Sequence, residues 1–347
     1  MSDKLSKLRQ KIDALDEQIH ELINQRALFA VDVAESKSEG VINETSFYRA
    51  EREAEVLAKV KSRNQGPLSD QEVARLFREI MSACLALEQV MTIAYLGPEG
   101  TYTQAAALKH FGHSVDTIPQ ASIADVFREV ESGNAAYGVV PVENSAEGMV
   151  THTLDEFMNS SLNICGEVDL RIHHNLLGKT EDISDVKKVY SHRQSLAQCR
   201  KWLDTNLSNV EQIDVSSNAE AARLASEEEG AAAIAGETAA EIYGLNTIAG
   251  NIEDEPDNTT RFLIIGERVT PASGVDKTSM LVSANNKSGS LHAMLEPLAK
   301  NKMAISRIES LPSRQGMWNY VFFIDIEGHI DDSNVTKAIN ELEQAAS

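Results

Sequence analysis

The chain has 347 residues, 42% hydrophobic and 24% charged, with a net charge of −21. That length predicts two or three domains of a soluble globular protein. The acidic balance disfavours general binding to nucleic acid or to an anionic membrane, and no apolar run nears the roughly 20 residues that span a bilayer. Cys84, Cys165 and Cys199 have neither paired nor metal-ligand spacing, which predicts a reducing cytoplasm and no metal. The charge is uneven. Residues 1–91 hold 13 Lys/Arg against 16 Asp/Glu, a balance of −3, so −18 falls on the rest.

The first helix is predicted from Asp3 to Lys37, about 50 Å long. Its start is charged rather than signal-like. Leu5, Leu8, Ile12, Leu15, Ile19 and Leu22 step by three and four, a heptad seam whose next a position is Arg26; Phe29 and Val33 then resume the apolar steps. A guanidinium in a packed seam is costly unless an anion meets it. A polar seam residue can equally fix register or oligomeric state. Arg9 and Lys37 flank the same face.

A stop spans Gly40 to Ser46, and a second helix is predicted from Phe47 to Arg63, with Arg52 and Glu53 beside Val56 and Val60. Ser69 and Glu72 form a capping box that opens a third helix. Its apolar face is Val73, Phe77, Ile80, Cys84, Leu87 and Met91, with Glu88 on the core-facing side. Two short helices cannot cover a 50 Å partner, so a second chain is expected to complete an intertwined dimer. Charges beside all three apolar stripes suggest a pocket for a small polyanion.

From Ile93 strands alternate with helices. Strands are predicted at Ile93–Leu96, Tyr137–Val140, Val186–Tyr190, Ala231–Ala235 and Arg261–Ile265, with helices at Ser122–Glu131, Leu196–Leu203 and Ala219–Glu228. The alternation implies α/β units with mainly parallel sheets. Gly97-Pro98-Glu99-Gly100-Thr101 opens a helix as an anion site would. It is neither a dinucleotide fingerprint nor a Walker A loop, and no cofactor is expected. Polar strand ends at Pro141–Ser145, Ser191–Gln194 and Asn258–Phe262 suggest one cleft between two lobes. After a linker at Glu267–Gly274, the order Thr278–Ala284, Leu291–Lys300, Met303–Glu309, Trp318–Ile326 and Asn334–Glu343 reads βαββα, one strand short of a ferredoxin-like unit.

These motifs closely resemble the bifunctional chorismate mutase–prephenate dehydratases of phenylalanine biosynthesis. Residues 1–91 look like an all-helical chorismate mutase domain. Tyr95–Thr101, Pro141–Ser145, Ser191–Gln194 and Thr260-Arg261-Phe262 look like dehydratase motifs of a two-lobed, periplasmic-binding-protein-like α/β domain at 92–270. Gly289-Ser290-Leu291 and Glu309-Ser310-Leu311-Pro312 resemble the phenylalanine-binding motifs of an ACT domain at 275–347, incomplete at its last strand.

The resemblance implies that Arg26, Arg52 and a partner's Arg9 grip the chorismate carboxylates, that Lys37 and Glu88 bond the ether oxygen, and that Glu53 bonds the hydroxyl. It makes Thr260 the catalytic position of the dehydratase. Thr101, Glu143, Asn144, Ser145, Ser191, His192, Arg261 and Phe262 would surround prephenate. Gly289, Ser290, Leu291, Glu309 and Ser310 would bind L-phenylalanine as allosteric effector. Leu311 stands where that motif usually has arginine, so feedback is expected to be weak. Two other readings fit parts of the pattern: a monofunctional dehydratase with a helical dimerisation segment, and a non-catalytic aromatic-acid sensor.

Overall fold

The computed structural model describes residues 2–38, 48–284, 287–312 and 320–346. The expected stop at Gly40–Ser46, the helix start at Phe47 and the strand start at Trp318 lie outside the described residues, as does the side chain of Lys37.

Three helices come first: α1 (Ser2–Ser38), α2 (Ala50–Arg63) and α3 (Asp70–Glu88). The Ser69 hydroxyl accepts the Glu72 N–H at 3.2 Å, as the capping box requires. α2 and α3 pack together through Leu57, Ala74 and Cys84. α1 rests on α3, but its seam stays open in the single chain: Leu5, Ile12, Ile19 and Leu22 are all more than half exposed.

The first lobe contains β1 (Thr92–Leu96), α4 (Tyr102–Phe111), β2 (Asp116–Gln120), α5 (Ile123–Glu131), β3 (Tyr137–Asn144), β4 (Gly148–Met149), α6 (Thr151–Phe157) and β5 (Asn163–Arg171). The second lobe follows with β6 (Asn175–Gly178), β7 (Lys188–His192), α7 (Arg193–Gln198), α8 (Arg200–Asn206), β8 (Glu211–Val215), α9 (Asn218–Glu227), β9 (Ala231–Ala235), α10 (Glu237–Tyr243) and β10 (Asn246–Ala249). The chain then returns, and β11 (Thr259–Gly266) inserts between β3 and β5 to give the order β2-β1-β3-β11-β5. The second sheet runs β10-β6-β9-β7-β8.

Both sheets are mixed, which corrects the expectation of mainly parallel pairing. β11 is antiparallel to both neighbours, and β6 is antiparallel to β9 and β10. The antiparallel pairs arise where the chain crosses between lobes and comes back, a long-range event with no local signature. The crossings run side by side, with Ile172 N–H bonded to Asn258 O and Ile252 N–H to His174 O, both at 2.8 Å. The Glu253 carboxylate ties them by accepting the His174 N–H at 2.9 Å and meeting His173 Nδ1 at 2.8 Å.

The C-terminal unit has β12 (Lys277–Ala284), α11 (Ser290–Lys300), β13 (Ile305–Pro312), β14 (Tyr320–Glu327) and α12 (Ser333–Ala346). Its sheet order is β12-β14-β13. One face packs on its own helices through Val282, Met294, Leu298 and Ile324. Leu311 and Phe323 leave the other face and enter the first lobe's core beside Val140, Leu154 and Leu263.

The helical unit also docks on the first lobe. Tyr48 lies between the Phe111 and Tyr137 rings, each about 5.5 Å away between centroids. Its hydroxyl meets His110 Nε2 at 3.4 Å and is hydrogen-bonded to Glu53.

Candidate active sites

β3 and β11 end side by side at the lobe boundary, and their pairing decides which side chains meet. Thr260 lies directly opposite Asn144. The Asn144 amide donates to Thr260 Oγ1 at 2.8 Å. Asn144 is held in that orientation because its Oδ1 accepts the backbone N–H of Ala146 at 2.9 Å and of Glu147 at 3.1 Å. Backbone N–H groups only donate, so Oδ1 must face them and the NH₂ must face Thr260. The Thr260 hydroxyl, accepting from Asn144, keeps its own hydrogen for another acceptor. Thr260 is also buried, which strengthens any such bond.

The neighbouring residues face the other way, because successive strand residues point to opposite faces. Arg261 pairs directly with Glu143; the next pair is Phe262 with Pro141, so Val142 is an extra, bulged residue. Its direct pairing puts Glu143 on the Arg261 face. These two were expected to bind substrate; their side chains pair with the C-terminal unit. Arg261 Nη2 meets Asp325 Oδ2 of the C-terminal unit at 2.8 Å and Glu167 at 2.7 Å. Glu143 meets Arg307 Nη2 at 3.1 Å. Arg261 lines a separate cavity of about 750 Å³ shared by the first lobe, the helical unit and the C-terminal unit. Phe262 is a core residue packed with Tyr95, Phe111 and Val139.

The inter-lobe cleft holds a cavity of about 810 Å³. Ala146 and Glu147 line it from the first lobe, and His192, Arg193, Gln194 and Asp214 from the second. Ser191 is fully buried, and its hydroxyl is committed to Asn218 Oδ1 and Ile234 O at 3.0 and 3.1 Å. It anchors the end of β7 to α9 and β9. Asn218 also accepts the His192 N–H and donates to Ser195, which fixes the His192 corner. Ser145 accepts the Thr259 N–H at 2.9 Å and so clasps the two strand ends. The Thr101 hydroxyl bonds Leu96 O at 3.2 Å. Gly100, with φ +86°, abuts Ala239 and Tyr243 of the second lobe, an approach too tight for a side chain. The sequence reading missed Asn218 and Arg193. An asparagine just inside a helix capped by Ser217 is the only local signal for the first, and a cation following a polar strand end for the second.

In the helical unit Arg26 is half-buried in the seam, Arg9 and Arg52 are exposed, and Arg52 pairs with Glu55. Glu88 is half-buried on α3. Glu53 was expected to bond the substrate hydroxyl. It sits on the buried face of α2, one turn before Leu57, and accepts from Arg78 Nε at 3.0 Å. Burial raises its pKa, and the bonds from Arg78 and Tyr48 oppose that. It thus serves the junction with the first lobe. His110 at the same junction is part-buried against Phe111 and Tyr48, and desolvation there pushes its pKa down to about 4; nearby Arg78 adds to the effect.

In the C-terminal unit Gly289 is left-handed (φ +85°) and opens α11, and Ser290 Oγ caps Lys287 O at 2.9 Å. Leu291 and Ser310 are exposed, whereas Glu309 shares the inward face of β13 with Arg307 and Leu311. Leu311 thus packs into the first lobe's core.

Residues 8–89 match the family model for chorismate mutase type II, residues 93–270 that for prephenate dehydratase, and residues 278–344 that for the ACT domain. A bifunctional chorismate mutase/prephenate dehydratase from Stutzerimonas stutzeri is 55% identical over 344 residues, covering 98% of this chain and 94% of its own. A relative of the same description from Pseudomonas aeruginosa is 54% identical over 347 residues, covering 99% and 95%. Among solved structures, a prephenate dehydratase from Arthrobacter aurescens in complex with L-Phe aligns with 74% of this chain and 86% of its own, at 34% identity and a TM-score of 0.68.

Proposed function

The chain belongs to the bifunctional chorismate mutase/prephenate dehydratases, and from that premise we propose how its residues divide the two reactions. Chorismate rearranges to prephenate by breaking its ether C–O bond as a C–C bond forms, with negative charge growing on the ether oxygen. Catalysis needs a compact conformer and donors at that oxygen. Arg26, Arg52 and the partner's Arg9 hold the carboxylates, while Lys37 and Glu88 address the ether oxygen. The exposed seam of α1 supports a homodimer formed through the helical domain at 1–91.

The second reaction belongs to the cleft of the domain at 92–270. The carboxylate on the prephenate ring leaves as CO₂, its bonding electrons aromatise the ring, and the ring hydroxyl departs as water after gaining a proton. The products are phenylpyruvate, CO₂ and water. Thr260 donates a hydrogen bond to the departing hydroxyl oxygen. Asn144 holds Thr260 in donor orientation, His192 stands by as proton source, and Arg193 offers a cation to a carboxylate. The observation that carries this reading is the 2.8 Å Asn144–Thr260 bond with Asn144 pinned by two backbone N–H groups.

The domain at 275–347 takes L-phenylalanine as effector. The L-Phe complex of the Arthrobacter relative supports this assignment. The three free cysteines suit a cytoplasmic enzyme.

Chorismate given to the purified protein, with prephenate and phenylpyruvate followed in time, tests the division. Thr260→Ala should lower phenylpyruvate formation by roughly 10²–10³ in kcat, the cost of one transition-state donor, and leave chorismate consumption unchanged. Equal loss of both in a folded variant would refute it.

A further inference from the structure

Thr260 and Asn144 are joined, through Asn144 Oδ1, to Ala146 and Glu147, which line the cleft; Arg261 and Glu143, the residues adjoining them on the same two strands, face the ACT unit. This puts a charged row directly behind the catalytic pair. The ACT sheet answers with a row of its own: Arg307 on β13 pairs directly with Asp325 on β14, and Asp325 with Ser279 on β12. Asp325 is fully buried and Arg307 nearly so.

The ion pairs run across the domain boundary. Arg261 reaches Asp325 at 2.8 Å, and Arg307 reaches Glu143 at 3.1 Å. Yet each charge also has an opposite charge directly across from it within its own sheet: Arg261 with Glu143, and Arg307 with Asp325. These four groups therefore admit two pairings, with Glu167 at 2.7 Å from Arg261 and Glu309 at 4.0 Å from Arg307 as further carboxylates within each domain. One binds the domains together. The other lets each domain satisfy its own charges as the ACT unit shifts away. Separating a buried ion pair normally strands a charge at great cost. Here exchange of partners removes that penalty, so the boundary has two arrangements instead of one.

Two further observations bear on the balance. Arg307 Nε and Nη1 find no hydrogen-bond acceptor among the described residues, although both are buried. The docked pairing therefore leaves desolvated N–H groups unsatisfied, which weakens it. Against this, Leu311 and Phe323 bury apolar surface in the first lobe's core and favour docking. Opposing contributions of this kind make a two-state element that ligands at either end can bias.

We propose that Glu143, Arg261, Arg307 and Asp325 form a partner-exchanging clamp through which the ACT unit positions Thr260 and Asn144. The inference rests on the reading of Thr260 and Asn144 as the dehydratase site. Arg261 and Glu143 are positioning residues. They share peptide bonds with the catalytic pair, so pulling on their side chains alters the alignment of the 2.8 Å Asn144–Thr260 bond. An effector that favours one placement of the ACT unit changes turnover more than substrate affinity, because the clamp touches nothing in the cleft.

The experiment uses the full-length enzyme with Arg307→Met, Arg307→Lys and the isosteric Asp325→Asn. Arg307→Met and Asp325→Asn should each lower kcat for prephenate about tenfold, within the usual range of coupling between sites, with KM held within about twofold. Chorismate turnover in the same samples should be unchanged, which also reports folding. Arg307→Lys, which keeps the charge, should recover most of the lost kcat. A loss that falls on KM, or no recovery with lysine, overturns the clamp. Thr260→Ala measured alongside separates the two levels of the argument. Impaired Thr260→Ala with unimpaired Arg307→Met and Asp325→Asn overturns the clamp alone; unimpaired turnover in all of them overturns the site reading as well.

Discussion

Asn144 owes its role to which of its two ends faces which neighbour. Asn144→Asp keeps the oxygen that accepts Ala146 and Glu147 N–H but replaces the donor with a second acceptor. The Thr260 hydroxyl would then donate to the carboxylate, and its hydrogen would be lost to the substrate. The expected result is a fall in prephenate kcat of roughly 10²–10³ with little change in thermal stability. Normal kcat in this variant would show that Thr260 needs no orientation. At this scale the polar strand end that holds Thr260 was legible as a position at the lobe boundary. The roles of Arg261 and Glu143 were not. Strand alternation turns Arg261 away from Thr260 and Glu143 away from Asn144. Their ion-pair partners lie in a unit distant in sequence, which leaves no mark in either strand. Asp325 did leave a trace. A lone carboxylate inside Phe322-Phe323-Ile324-Asp325-Ile326 needs a buried cation, which turns out to come from another domain.

Among elements, the helices were the most readable, because their signals are local. Ser69, Ser122 and Ser217 each accept an N–H three residues on, and each opens a helix. The strands β2, β4, β5, β6, β8 and β10 were missed. α1 carries the sharpest prediction here. Its seam is apolar on both sides of Arg26 and uncovered in the single chain. Arg26→Leu should abolish mutase activity, leave the dimer intact in analytical ultracentrifugation, and hold or raise the melting temperature as a buried cation gives way to an apolar group. Dissociation to monomers would instead mean that Arg26 fixes register.

For the whole molecule, the junction between helical unit and first lobe should be acid-sensitive. His110 has a folded-state pKa of about 4, below the roughly 6.5 of an exposed histidine. The unfolded chain then binds the proton more readily than the folded one. Stability is fully present above about pH 6.5 and is lost as pH falls toward 4, by roughly 3 kcal/mol at most. His110→Gln, which cannot titrate, should show a smaller drop in melting temperature between neutral pH and pH 4.5. An identical drop in both proteins would take His110 out of the account. Domain order and fold class were legible from the change in periodicity near residue 92. The docking of the three units was not, because it depends on contacts such as Tyr48 on Phe111 that join distant parts of the chain.

The insertion of β11 between β3 and β5 also sets an order of events during synthesis. The second lobe is made entirely before Thr259 leaves the ribosome, and at ordinary elongation rates the wait between β5 and β11 is on the order of ten seconds. During that interval the nascent first lobe holds two strands whose shared neighbour does not yet exist, with bare backbone edges of the kind that recruit chaperones or aggregate. The second lobe, whose five strands are contiguous in sequence, has no such delay. Nascent chains stalled just before Thr259 should therefore show a protease-resistant second lobe beside a first lobe that is still digested, and stalling well beyond Gly266 should protect both. Protection of the first lobe in the earlier arrest would mean that β3 and β5 can close without the strand that carries Thr260.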